Sequence, residues 1–233
     1  MNGEPVKKSE LGVRTLSAVV MVAVAGSALW LGGLVWTGFA ALVALGVLWE
    51  WSRLALAITP STGARIGWGI GGIVYVGVAI FGLLFLRSAP MFAGAFIVLT
   101  VVLSVIATDI GAYFAGRAIG GPKIAPKISP SKTWAGLTGG MLASGGVLAW
   151  STIGLRTLGD LTPTGLPIGA VGVGMVIAVI AQAGDFFESW MKRMAGVKDS
   201  GNLIPGHGGL FDRVDGLLAV LFVIGVIALI AGR

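Results

Sequence analysis

Apolar residues run along this chain in long blocks separated by short charged intervals. Charge-free runs cover 15–49, 66–86, 88–108, 133–155, 161–184 and 216–232. A helix crosses the hydrocarbon of a bilayer in about 20 residues. The first run has 35 residues, which at about 1.5 Å each makes a helix of about 52 Å, far beyond about 30 Å of hydrocarbon. It is expected to break near Gly32 and Gly33 and to form two spans. The pattern therefore predicts an all-α polytopic integral membrane protein with about seven transmembrane helices. No internal repeat or low-complexity tract interrupts the pattern.

Composition agrees. Of the 233 residues, 56% are hydrophobic and only 11% charged, whereas a soluble domain is about a quarter charged. The absence of cysteine excludes disulfides and thiolate metal sites. The start, MNGEPVKKSELGVR, is a basic head before an apolar run. It is not read as a removable leader, because no soluble domain follows a cleavage site.

Charge sets the orientation. With the N-terminus in the cytoplasm, seven spans put 13 of the 16 Lys and Arg residues on the cytoplasmic side, leaving Arg87, Arg156 and Arg233 outside. That is the bias of the positive-inside rule, and removing one span scrambles it. The 39 glycines suit close helix approach. The eight tryptophans fall mostly near predicted span ends, as interface anchors would. The net charge of +6 is not distributed like that of a nucleic-acid binder; it fits loops facing anionic lipid or a polyanionic substrate.

The few charges concentrate in two segments. One is 189–215, SWMKRMAGVKDSGNLIPGHGGLFDRVD; the other is 116–136, GRAIGGPKIAPKISPSKTWAG. Asp185 and Glu188 share a helix face at a spacing of three, and so do Asp212 and Asp215. They read either as hard-cation ligands, magnesium preferring oxygen donors, or as partners of Lys192, Arg193 and Arg213 at helix ends. Asp109 ends the fourth span, where a carboxylate is costly unless paired or hydrated. It either pairs with Arg117 or lines a polar cavity. Lys123, Lys127 and Lys132 stand among three prolines that stiffen their loop. Ser129, Ser131 and Thr133 can donate to phosphate or cap the fifth span. Lys192, Arg193 and Lys198 face the same side, so the two loops could neutralise several phosphate charges. His207 stands in PGHGG, where Gly208 and Gly209 allow close backbone approach to a ligand. It could donate to a phosphate or leaving group, or serve as a hydrogen-bonded loop residue.

These residues resemble the phosphatidate cytidylyltransferase, or CDP-diacylglycerol synthase, family. Its signature is matched without a gap by Ser189, Lys192, Arg193, Lys198, Asp199, His207, Gly208, Gly209, Asp212, Arg213 and Asp215. DIGAYFAGRAIGG and APKISPSKTWAG also look like family segments. The resemblance covers 109–215 closely and the N-terminal spans only in character, family members often being longer. It implies that CTP and phosphatidate give CDP-diacylglycerol and pyrophosphate. It implies magnesium on Asp185 and Asp212, with Glu188 beside them, a potassium ion as a second cation, and a homodimer. Lys192, Arg193 and Lys198 are expected to hold the nucleotide or pyrophosphate. Lys127, Ser129, Ser131, Lys132 and Thr133 are expected to orient a phosphate, and Asp109 to complete the cavity. A phosphate monoester is largely dianionic near neutral pH, so no dedicated general base is needed.

The expected organisation is an N-terminal set of spans over 1–108 and a catalytic membrane domain over 109–233, with cytoplasmic loops at 109–134 and 185–215. The expected location is the bacterial cytoplasmic membrane, with the site facing the cytoplasm and no nucleic-acid partner. A CDP-alcohol phosphatidyltransferase should carry Asp-Gly-x-x-Ala-Arg, which is missing. An ion-coupled transporter should place its ionisable residues along mid-membrane helices, whereas here they cluster between spans.

Overall fold

The computed structural model describes the backbone of residues 6–90, 93–157 and 168–232, and the side chains of 12–90, 93–154 and 168–232. Lys7, Lys8, Arg156 and Arg233 of the charge argument lie outside the described side chains. Seven helices occur among the described residues: α1 (Val6–Leu31), α2 (Gly33–Ile58), α3 (Thr62–Arg87), α4 (Ala93–Ala118), α5 (Trp134–Thr157), α6 (Ile168–Ala195) and α7 (Phe211–Ala231). Six are long and apolar enough to cross a membrane. The remaining one, α5, is diluted by glycine, serine and threonine (WAGLTGGMLASGGVLAWSTIG). The molecule is an all-α polytopic membrane protein.

The 35-residue run breaks at Gly32, whose φ of 64° lies in the left-handed region that glycine enters at no cost. Arg87, at the end of α3, closes the break. Its guanidinium donates from Nε and Nη2 to Leu29 O, each at 3.3 Å, so a cation meets the free carbonyls of a helix C-terminus.

The two polar segments are loop only in part. Helix α4 continues through Ala118 and α6 through Ala195. The 28 residues of α6 rise about 42 Å, so its last turns carry charge beyond the hydrocarbon. Asp109, Asp185, Glu188 and Lys192 are therefore helical, and the true connections are 119–133 and 196–210. The first of these forms a small antiparallel hairpin, β1 (Lys123–Ala125) with β2 (Ser129–Thr133). Pro122, Pro126 and Pro130 lack the N–H groups that a helix would need there.

Two features hold the bundle together. The first is close crossing of small residues. A Cβ on Gly139 of α5 would lie 2.7 Å from Gly111 O of α4, and one on Gly82 of α3 would lie 2.8 Å from Gly225 N of α7. The second is an aromatic cluster around Trp51, whose ring centroid lies 5.7–6.0 Å from those of Trp68, Tyr75, Phe187 and Phe211. Such pairs contribute about 0.5–1.5 kcal/mol each beyond burial. Trp51 Nε1 donates to Trp68 O at 2.8 Å. Trp51 and Trp36 are thus core residues, not interface anchors. Their side chains turn inward because neighbouring helices fill the lipid side. Trp30, Trp49, Trp134 and Trp150 do face outward.

Replacing Gly139 by Val forces a branched side chain against the α4 backbone. The expected result is a loss of about 1–3 kcal/mol, as for overpacking, seen as a lower midpoint of thermal unfolding in detergent. An unchanged midpoint would show that the α4–α5 crossing has slack.

Candidate active site

Apart from Arg87, the charged side chains described gather at one end of the bundle, where α4 and α6 finish and α5 and α7 begin. The first connection touches the last turns of α6 there: Arg193 Nε donates to Ile128 O at 3.4 Å. The carboxyls sort into two groups, each organised by one lysine. Lys132, on β2, pairs with Asp185 of α6 and lies 4.9 Å from the Phe186 ring centroid. Asp109, Asp185 and Asp215 interact electrostatically with one another and with Lys132. In the second group, Lys192 reaches Glu188 one turn back and Asp212 of α7, the latter at 2.7 Å. Residues three apart on one helix thus serve different cations. Asp185 and Asp212, linked in the sequence reading, belong to different groups.

Asp212 is held by more than its lysine. Ser200 N donates to Oδ2 at 3.0 Å, and Gly209 N donates to the same oxygen at 3.0 Å. Two main-chain donors and an ammonium suit an ionised carboxylate. Asp185 Oδ1 also accepts from Ser189 Oγ at 3.2 Å. Asp215 Oδ1 accepts from Gly216 N at 2.8 Å.

Beside the Lys132 group is a cavity of about 420 Å³ between α4, the hairpin and the start of α5. Asp109, Arg117, Lys123, Ser131, Lys132 and Thr133 line it, with Gln182 from α6. Asp109 faces this cavity, while Arg117 Nη1 donates to Tyr113 Oη at 3.2 Å. Thr133 also caps α5, accepting from Gly136 N at 3.0 Å, which satisfies one of the free N–H groups of a helix start. Gln182 Oε1 is buried without a hydrogen-bond partner. Its polar side chain in the apolar run before Asp185 was a signal the sequence reading passed over.

Other expected residues lie on or beside the connections, and a Cβ on Gly208 would lie within 4 Å of both Asp199 and Asp212. His207 Nδ1 meets Ser17 Oγ of α1 at 2.8 Å. The Arg213 side chain is exposed and donates from Nε to His207 O at 3.1 Å. Lys127, Lys198 and Asp199 are exposed on the connections, and Ser129 sits in the hairpin opposite Ala125. Gly208 has a φ of 84°, and the adjoining Gly209 packs so tightly that a Cβ would come 2.8 Å from Asp212 Oδ2. These two glycines shape the turn that presents Gly209 N to Asp212.

The donor set fits a hard cation. It is all oxygen, as magnesium prefers, and Glu188 Oε1 is a buried carboxyl oxygen without a hydrogen-bond partner. Among the described residues, however, no group of three His, Cys, Asp or Glu side chains stands ready as a metal site. The lysines fill the space between carboxyls. Glu188 and Asp212 meet around Lys192, and Asp185 is one helical turn away.

Glu50 of α2 is the site's largest surprise. It is wholly buried. Its carboxyl accepts from Ser200 Oγ at 3.0 Å, Leu210 N at 3.0 Å and Phe211 N at 2.8 Å. It thereby caps α7 from another helix, since Leu210 at the N-cap offers no side-chain acceptor. One acid inside WEW, closing an apolar run, was the available signal.

Residues 59–231 match the model of the Cytidylyltransferase family. This chain belongs to that family. It is 34% identical over 266 aligned residues to the phosphatidate cytidylyltransferase of Brucella suis, with 94% of each chain covered. With that of Rickettsia bellii it shares 35% over 221 residues, covering 91% of this chain and 88% of the relative. With that of Pseudomonas aeruginosa it shares 34% over 189 residues, covering 78% and 67%. The cytidylyltransferase match spans α3 to α7 and so takes in the cavity and both lysine-centred groups. Glu50 lies before it.

Truncating Glu50 to Ala leaves two buried donors and one half-buried donor unpaired, each buried one costing about 1–3 kcal/mol. The variant is expected to unfold at a clearly lower temperature in detergent, while Glu50→Gln, which keeps an acceptor, falls between. Equal midpoints for Ala, Gln and the parent would remove Glu50 from the support of α7.

Proposed function

We propose that this chain transfers the cytidylyl group of CTP to phosphatidate, giving CDP-diacylglycerol and pyrophosphate at the cytoplasmic face of a bacterial inner membrane. The observation that carries this reading is the meeting of the lysine-bearing hairpin with the charged last turns of α6 and the start of α7, over two carboxyl groups at one end of a membrane bundle. The family match and the names of the relatives support it. The charge bias along the sequence supports the cytoplasmic orientation.

Both reactants are polyanions, so the first task is to hold them together. Lys132, with Lys123, Arg117 and Ser131, lines a cavity suited to a phosphate group. Lys192 and Arg193 lie close by on α6 for the triphosphate. A phosphate oxygen of the lipid attacks the α-phosphorus of CTP, forming the new P–O bond. The bond to the bridging oxygen of the β-phosphate breaks, and that oxygen leaves with pyrophosphate. The monoester is already dianionic, so no side chain has to remove a proton. Lys132 and Lys192 supply fixed positive charge where negative charge gathers. Loop 196–210, anchored by Glu50 and Asp212, keeps Lys192 and its acids in register.

Glu188 and Asp212, with Asp185 on the neighbouring turn, would hold magnesium. When bound, magnesium offsets charge on the triphosphate and on the leaving oxygen. A second, monovalent cation and a homodimer belong to the same proposal. His207 is assigned no proton transfer, since the dianionic monoester needs no base; Ser17 holds its Nδ1.

The test uses purified protein in detergent with α-³²P-labelled CTP, phosphatidate and magnesium. Label is expected in the organic phase only when lipid and metal are both present, with pyrophosphate released in equal amount. A CDP-alcohol phosphatidyltransferase would leave CTP intact. Asp212→Asn is expected to lower the rate about 100-fold or more, the scale of losing one electrostatic contact to a transition state. Undiminished turnover would sink the assignment of Asp212.

A further inference from the structure

A second cavity, of about 890 Å³, lies on the side of the bundle between α2, α3, α6 and α7. That is the size of a ligand pocket, typically about 300–1,000 Å³. Its walls are apolar and aromatic, with Trp68, Tyr75, Phe187 and Phe222 among them. The aromatic core around Trp51 forms its floor.

Three observations say what it takes. The first is depth. On α3 the lining runs from Ala64, at the helix start, to Tyr75, about 16 Å of helix rise. Against about 30 Å of hydrocarbon, that is one leaflet, beginning at the end of the bundle that carries the ionisable residues. The second is its place beside the polar site. Gly184, in the wall, adjoins Asp185, and Ala219 lies one turn beyond Asp215 on the same face of α7. A Cβ on Gly184 would come 2.7 Å from Asp215 O, so α6 and α7 meet closely where the groove wall adjoins the backbones that carry two of the acids. The third is how the space arises. Gly67 and Gly71 are four apart on one face of α3, and a Cβ on either would meet nothing within 4 Å. The next residue, Gly72, is instead packed against the Trp51 indole. The groove is thus open because α3 has no side chains there, while the floor beneath it is closely packed.

We propose that this groove holds one acyl chain of the lipid substrate while its phosphate lies at Lys132. The proposal rests on the reading of the chain as a phosphatidate-using enzyme. One apolar chain, one leaflet deep, with its head at an ammonium flanked by acids, matches a phospholipid of the inner leaflet. The glycine face of α3 then sets how long or bulky a chain is accepted.

The test is Gly71→Leu, which projects a side chain into the deeper part of the groove from a position where a Cβ meets nothing within 4 Å, and which raises helix propensity. Gly69→Leu is the control: it lies on the same helix with equal open space, but off the groove. Turnover of dihexanoyl and dipalmitoyl phosphatidate is compared at matched surface concentration in detergent. Gly71→Leu is expected to lower kcat/KM for the dipalmitoyl lipid relative to the dihexanoyl lipid by at least about tenfold, the lower end of what pocket size discriminates. Gly69→Leu should leave that ratio at the parental value. Gly71→Ala should shift it in the same direction by less, and it carries the test if the Leu variant fails to fold. An unchanged ratio in both Gly71 variants overturns the proposal. So does an unchanged ratio accompanied by a shift from dimer to monomer, which would make the groove a contact between copies. If the parental protein turns over neither lipid, the functional reading fails, not the groove.

Discussion

A carboxyl group inside a membrane bundle must find cations or N–H donors, and the rest of this structure follows from how that demand is met. Lys132 and Lys192 each gather carboxyls from more than one helix. The carboxyl of Glu188 is buried and the other members of these pairs are partly buried, so water screens the pairs only in part. The pairs therefore tie β2, α6 and α7 into one polar end. Glu50 extends the arrangement to α2 by accepting from Ser200 and from the first free N–H groups of α7. The same network that makes the charges tolerable in the membrane also aligns them.

That network needs helices that lie very close together. Gly111 against Gly139, and Gly82 against Gly225, let backbones meet where any side chain would hold them apart. Without hydrophobic drive between helices in lipid, such packing supplies much of the association. Its consequence for the site is direct. The α4–α5 crossing lies just beyond Thr133 and beside Asp109, so it sets the width of the polar cavity.

Lysines between acids also make chemical sense for two polyanionic reactants. The ammoniums balance the carboxyls before substrate arrives, and phosphate can compete for them afterwards. Glu188 Oε1, buried and without a partner, marks where the balance is incomplete and where a hard cation would be welcomed. In the proposed reaction the aromatic and glycine-lined groove beside this end would keep the lipid tails in apolar surroundings, while the charged chemistry proceeds one helical turn away.

The sequence by itself determined the number of helices, the break at Gly32 and the identity of the polar segments. These depend on local properties: run length against membrane thickness, glycine's access to positive φ, and the scarcity of charge. The signature around Ser189 and Asp215 likewise named the family, because it is a contiguous string. Only the tertiary structure decided who pairs with whom. Asp185 and Glu188 share a helix face, yet one turns to Lys132 and the other to Lys192, a choice made by the helices packed on either side. His207, in its glycine-rich setting, meets Ser17 through Nδ1, because α1 packs against its loop. Glu50 looked like the end of an apolar run and proved to cap a helix 160 residues away. Such partnerships are invisible along the chain because they rest on distances that exist only once the helices have crossed.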